Sequence, residues 1–149
     1  MIEILISGQR VFKLVAIALV LGACSFNEAI SPQPAILVNS LDPQQWDRCI
    51  SGSVEGVDPR YFYIAIYKGV DDRWFSIRGE ESIEISLKDD QTWHCPTHSQ
   101  DIKSADVVQI FMFPTGFEAP IMTGENVLPL KVHLAAATKM RLDLTQADS

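Results

Sequence analysis

The sequence predicts an all-β fold: a single antiparallel β-sandwich of about seven short strands. Three observations point there. Apolar residues recur at a period of two, as in Ile83-Glu84-Ile85-Ser86-Leu87 and Met140-Arg141-Leu142-Asp143-Leu144. The most apolar runs, residues 61–67 (YFYIAIY) and 105–113 (ADVVQIFMF), are rich in the β-branched and aromatic side chains that suit a pleated surface. Turn chemistry separates the runs, at Asp58-Pro59, Asp71-Asp72, Lys88-Asp89-Asp90 and Pro114-Thr115-Gly116. An open barrel is the alternative closure for the same pattern.

Taken in order, residues 25–35 (SFNEAISPQPA) are polar, carry two prolines and show no periodicity, which fits a tether. Ile36-Leu37-Val38 begins the folded part, and Asp42-Pro43 ends that strand. Residues 44–48 form one helical turn or a loop. In residues 49–57, Ile50, Gly52, Val54 and Gly56 occupy alternate positions. The 61–67 run puts Phe62, Ile64 and Ile66 on one face and Tyr61, Tyr63, Ala65 and Tyr67 on the other. Both faces are apolar or amphipathic, so this strand is central, its tyrosine hydroxyls reaching polar partners or the surface. Residues 69–73 turn, and 74–77 (WFSI) form the next strand. Ile83, Ile85 and Leu87 point inward from another, and 92–95 (TWHC) follow. A loop over 96–103 leads to the 105–113 strand. Residues 117–128 are irregular, Pro129 opens a short helix through 131–137, and 139–144 (KMRLDL) is the last strand. Short strands with frequent turns and little helix give the sandwich an immunoglobulin-like character.

A different signal precedes the strands. Arg10 and Lys13 lead into residues 14–24, LVAIALVLGAC. This apolar run is about half the ~20 residues that a spanning helix needs. A basic lead, a short apolar core and small residues before a break form the pattern of a secretory signal peptide. Leu21-Gly22-Ala23-Cys24 resembles the lipobox of bacterial lipoproteins. The resemblance implies that residues 1–23 are removed, that the Cys24 thiol carries a diacylglyceryl group, and that acyl chains such as palmitate hold the protein to a membrane. Residues 24–35 then make a lipidated tether, and 36–149 the β-sandwich domain. Ser25 follows the cysteine, and in the same family a non-aspartate residue there favours the outer over the inner membrane.

Residues 1–23 hold two basic residues and one acidic residue, so their loss leaves 126 residues with ten basic and eighteen acidic groups, a net charge of −8. That size suits one domain. An acidic surface argues against nucleic acid, which calls for Lys/Arg patches, and suits a solvated protein of the periplasm or cell envelope. Beyond Cys24 the chain has two cysteines, Cys49 and Cys95. An even number in an oxidising compartment predicts that they pair.

The order YFYIAIYKGVDDRWFSI, IEISLKDDQTWHC, SADVVQIFMFP, then a Leu-Pro stretch before a terminal strand, resembles small bacterial β-sandwich modules. Such modules occur alone in secreted proteins and beside secreted carbohydrate-active enzymes. The likeness covers about residues 49–145 and brings no catalytic motif; it implies a binding role, with a carbohydrate as one ligand class.

Among chemistry-bearing residues, His94, Cys95 and His98, with Asp101, offer imidazole, thiolate and carboxylate of the kind that bind zinc or copper. Cys95 is claimed by Cys49, however, and alternation sends His94 and Cys95 to opposite faces, so no metal and no cofactor is expected. Gly-x-Ser-x-Gly elbows and phosphate-cradling glycine loops are absent, and Asp71, Asp72, Asp89 and Asp90 read as solvated turn residues; no enzymatic activity is expected. The tryptophans suit binding better. Trp93, two residues from Cys95, is expected to pack against an inter-sheet disulfide. Trp74 alternates with Phe75, so one of the two faces outward. Trp46, Trp74 and Phe117 are the candidate contacts for a ligand or partner. The expectation is a lipid-anchored, non-catalytic binding or scaffolding protein that engages another envelope protein, with a carbohydrate-binding surface module as the alternative and a periplasmic metal carrier as a third.

Overall fold

The structure, a computed structural model, describes residues 31–41, 49–79, 82–95, 102 and 104–144. The described residues all belong to the unit Ser31–Ser149. In chain order the strands are β1 (Ala35–Val38), β2 (Ser51–Glu55), β3 (Phe62–Val70), β4 (Arg73–Ile77), β5 (Ile85–Ser86), β6 (Thr92–His94), β7 (Val107–Pro114), β8 (Thr123–Glu125) and β9 (Thr138–Asp143). A 3-10 turn at Pro59–Tyr61 leads into β3, and the helix α1 spans Leu130–Ala135. No helix among the described residues is long and apolar enough to cross a membrane.

Two antiparallel sheets form. One has the order β1-β2-β6; the other runs β8-β4-β3-β7-β9, with β5 pairing the free stretch of β3 beside β4. Apart from β5 and the added β8, this is the A-B-E and C′-C-F-G arrangement of an immunoglobulin-type sandwich. The sheets stay separate, so the open barrel does not form.

The predicted central strand is β3, and its two faces explain the architecture. Ile64 and Ile66 point toward the smaller sheet, where they meet Ile36, Ile50, Val54 and Trp93, joined by Val108, Ile110 and Met112 of β7. This is the inter-sheet core. Tyr63, Ala65 and Tyr67 point the other way, with Phe111 and Phe113 beside them. A sandwich of two layers would leave these rings in water. Instead they are covered by Met122, Leu128 and Val132, with Phe117, Ala119, Ala135 and Ala136 at the margin. The segment between β7 and β9 is therefore a third layer. Burying a large apolar side chain contributes about 1.5–3 kcal/mol, so this second core is a main source of stability.

Polar atoms inside the second core are satisfied. The Tyr63 hydroxyl donates to the Phe117 carbonyl at 2.7 Å, and that of Tyr67 to the Pro120 carbonyl at 3.0 Å. Burial pushes the Tyr63 hydroxyl pKa up to about 12 and raises that of Tyr67 as well. Ser76 on β4 receives the cover through two bonds, its amide donating to the Met122 carbonyl at 2.9 Å and its hydroxyl accepting from the Met122 amide at 2.7 Å.

Several expectations are corrected. Nine strands stand where about seven were predicted, and one of them, β8, lies in a stretch read as irregular. Ile83 does not share a face with Ile85: it joins the second core while Ile85 joins the first, since the chain holds strand conformation for only two residues there. Residue 69 extends β3 instead of opening the turn, which shrinks to Asp71 and Asp72. Cys49 and Cys95 are bonded. They sit just before β2 and just after β6, neighbours in one sheet, so the bridge is not an inter-sheet one. Trp93 is nonetheless fully buried, its indole N–H donating to the Ser53 carbonyl at 3.2 Å. Residues 44–48, read as one helical turn or a loop, lie outside the described residues.

Candidate functional site

The cover over the larger sheet's outer face stops near Tyr67. Continuing along β3, the next residue on that face is Gly69, itself buried between its neighbours. Its cross-strand neighbours are Trp74 on β4 and Val107 on β7. They leave no room for a side chain at Gly69: a Cβ there would sit 2.6 Å from Val107 Cγ1 and 3.6 Å from the Trp74 ring. Beside them is a cleft of about 180 Å³ lined by Gly69, Asp72, Trp74, Asp106, Val107, Asn126 and Arg141.

Each wall has a structural reason to be where it is. Asp71 and Asp72 both adopt positive φ, 48° and 60°. That is the backbone of a two-residue type I′ hairpin, which matches strand twist and sets Val70 opposite Arg73. The Asp106 carboxylate accepts from the Asp71 amide at 2.9 Å, holding the hairpin against β7. The Asp106 backbone completes the junction, its amide donating to the Gly69 carbonyl and its carbonyl accepting from the Leu144 amide, both at 2.8 Å. Asn126 directly follows β8, whose turn is tightened by the Glu125 carboxylate accepting from the Thr123 amide at 2.6 Å. That bond is the largest cause holding Glu125 below the usual carboxylate range. Arg141 faces the cleft from β9, already engaged with the Asp143 carboxylate at 2.8 and 2.9 Å.

The lining combines one flat aromatic surface with hydrogen-bonding groups that the fold does not consume. Among the described residues the Trp74 indole N–H, the Asp72 carboxylate and the Asn126 amide have no hydrogen-bond partner. A mostly rigid scaffold carrying an aromatic wall and a few convergent polar groups is the common form of a small recognition site.

Of the residues singled out in the sequence, Trp74 lines this cleft, half-buried. Phe117 sits in the second core instead of on a free loop, its ring 4.7 Å from that of Phe113. His94 is exposed on β6, and Cys95 beside it has no thiolate to offer, being bonded to Cys49. No group of three His, Cys, Asp or Glu side chains among the described residues is placed to hold a metal ion. Cys24, Trp46 and His98 lie outside the described residues. Sequence reasoning missed Gly69, Asp106, Asn126 and Arg141. Arg141 and Asp143 carried a signal, as the polar side of an alternating strand, but that side reads as solvent-facing until β7 and β4 bring it beside Trp74.

Comparison of the chain with protein families, with curated proteins and with solved structures finds no match.

Proposed function

We propose that this chain is a lipid-anchored, non-catalytic binding protein of the cell envelope, tethered through Cys24 and engaging another envelope protein. The observation that carries the reading is the Trp74 cleft, where an indole ring and unspent polar groups meet on a sheet. The Cys49–Cys95 disulfide supports export, because such bonds persist in oxidising compartments. The lipobox-like Leu21-Gly22-Ala23-Cys24 supports anchoring, and Ser25 favours the outer membrane. A single acyl chain binds membranes only marginally, so durable attachment rests on more than one chain at the cysteine. A carbohydrate-binding surface module is the second reading, favoured by the same indole, since aromatic faces also stack on sugar rings.

The test uses the full chain, expressed in the cells that make it, as wild type, Cys24→Ala and Trp74→Ala. Wild type is expected to incorporate labelled palmitate, fractionate with membranes and crosslink to a partner protein. Cys24→Ala loses the label and the membrane fraction; Trp74→Ala keeps both and loses the crosslink. An unlabelled wild type ends the anchoring half of the proposal. A crosslink that survives Trp74→Ala, in protein with unchanged circular dichroism, ends the binding half.

A further inference from the structure

The chemistry that the cleft can accept is narrower than its shape. Its side chains offer donors and acceptors alike, but their charges are unequal. Asp72 offers a whole carboxylate, and Asp106 offers the oxygen not used by the Asp71 amide. The cation in the lining, Arg141, is paired with Asp143 through two contacts. The neighbouring cation on β4, Arg73, is on the other side of the sheet: a Cβ on Gly124 would lie 3.9 Å from Arg73 Nη1 and 3.4 Å from the Phe75 ring. The lining therefore sets two carboxylates, Asp72 and Asp106, beside the Trp74 ring, with one guanidinium that already has a carboxylate of its own.

We infer that the Trp74 cleft receives an arginine side chain of the partner protein, its guanidinium lying against the indole and hydrogen-bonding to Asp72 and Asp106. This rests on the binding reading above and names the chemistry of the partner. A guanidinium is planar, carries donors and no acceptor, and stacks on aromatic faces while forking onto a carboxylate. The cleft, of about 180 Å³, holds one extended side chain, not a folded loop. Lysine offers a strongly hydrated point charge that uses the indole face less well. A neutral sugar brings hydroxyls that donate and accept, but no charge to match two carboxylates. The chain's net charge of −7 adds long-range attraction for a basic partner.

The test is a titration of the full chain in detergent micelles, followed by NMR of the tryptophan indole N–H signals, with the Trp74 signal assigned by its loss in Trp74→Phe. The probes are the blocked tripeptides Gly-Arg-Gly and Gly-Lys-Gly and methyl β-glucoside. The Arg peptide is expected to shift the Trp74 signal saturably, the Lys peptide more weakly and the glucoside not at all. Asp72→Asn should weaken the Arg peptide about tenfold or more, the size of a lost charge-assisted hydrogen bond. Raising salt from about 50 to about 500 mM should weaken it further, as screening predicts. Asp72 is exposed and bonds to no other described residue, so its replacement leaves the fold intact. No saturable shift with the Arg peptide, or one indifferent to Asp72→Asn, overturns the inference. If the partner crosslink still depends on Trp74 in that case, the binding reading stands and only the arginine is lost. A saturable glucoside shift assigns the cleft to carbohydrate instead.

Discussion

Gly52 on β2 shows how tightly single positions are specified. A Cβ there would collide with the Leu37 carbonyl oxygen of β1 and lie 2.8 Å from the Trp93 ring. Both neighbours are fixed by sheet pairing, so the backbone of β1 passes where a side chain would stand. In the sequence Gly52 was visible only as one of the alternate positions of a strand; that a neighbour's tryptophan packs on it needed the fold. The tyrosines were more legible. A strand apolar on both faces, with hydroxyls on one, predicts burial plus hydrogen-bond partners, and Tyr63 and Tyr67 find them in the carbonyls of Phe117 and Pro120. Their raised pKa values carry a signed prediction. An unfolded tyrosine loses its proton near pH ~10, whereas the folded chain keeps that of Tyr63 to about pH 12. Between the two the unfolded state binds fewer protons, so stability falls as pH rises. Thermal unfolding followed by circular dichroism should show a stable plateau below pH ~10 and a steady loss of Tm above it. That loss should shrink in Tyr63→Phe, measured against its own plateau. A Tm that does not respond to alkali would mean that these hydroxyls are not buried.

At the scale of elements, strands with clear alternation were read correctly. β3, β7 and β9 fall close to their predicted bounds because period-two patterning and β-branched side chains agree there. The third layer was not legible. Its contacts come from residues such as Met122, Leu128 and Val132, spread over a segment with no shared period, and their role exists only once an apolar outer sheet face needs covering. Ile83 was misassigned for the same reason: alternation predicts a face only while the chain remains a strand. The disulfide was legible as a pair but not in its location, since cysteine spacing does not say which strands become neighbours. Its closure of 46 residues constrains the unfolded chain by about 4 kcal/mol in the loop-entropy account. Reducing the bridge, or replacing both cysteines with serine, should lower unfolding free energy in urea by about that amount with little change in the native circular dichroism. An unchanged midpoint would show that the ends of β2 and β6 are held without it.

For the molecule as a whole, one physical relation links fold to proposed function. The larger sheet is apolar on both faces, the chain after β7 folds back over most of the outer face, and the cleft beside Trp74 lies where that cover ends. The sequence pointed to Trp74 as a contact residue but not to its surroundings, because Asp72, Asp106, Asn126 and Arg141 come from four separate segments. The hairpin keeps two non-glycine residues at positive φ, and glycine at the second position is the usual solution for a type I′ turn. Asp72 in that place fits a role in recognition better than one in stability. The most direct measurement is site-specific photo-crosslinking in intact cells, with a photoreactive amino acid at Asn126 beside the cleft and, as a control, at Glu55 on the exposed end of β2. The account predicts one protein adduct from position 126, lost when Trp74→Ala is added, and none from position 55. The same adducts from both positions, or none from position 126, would contradict it.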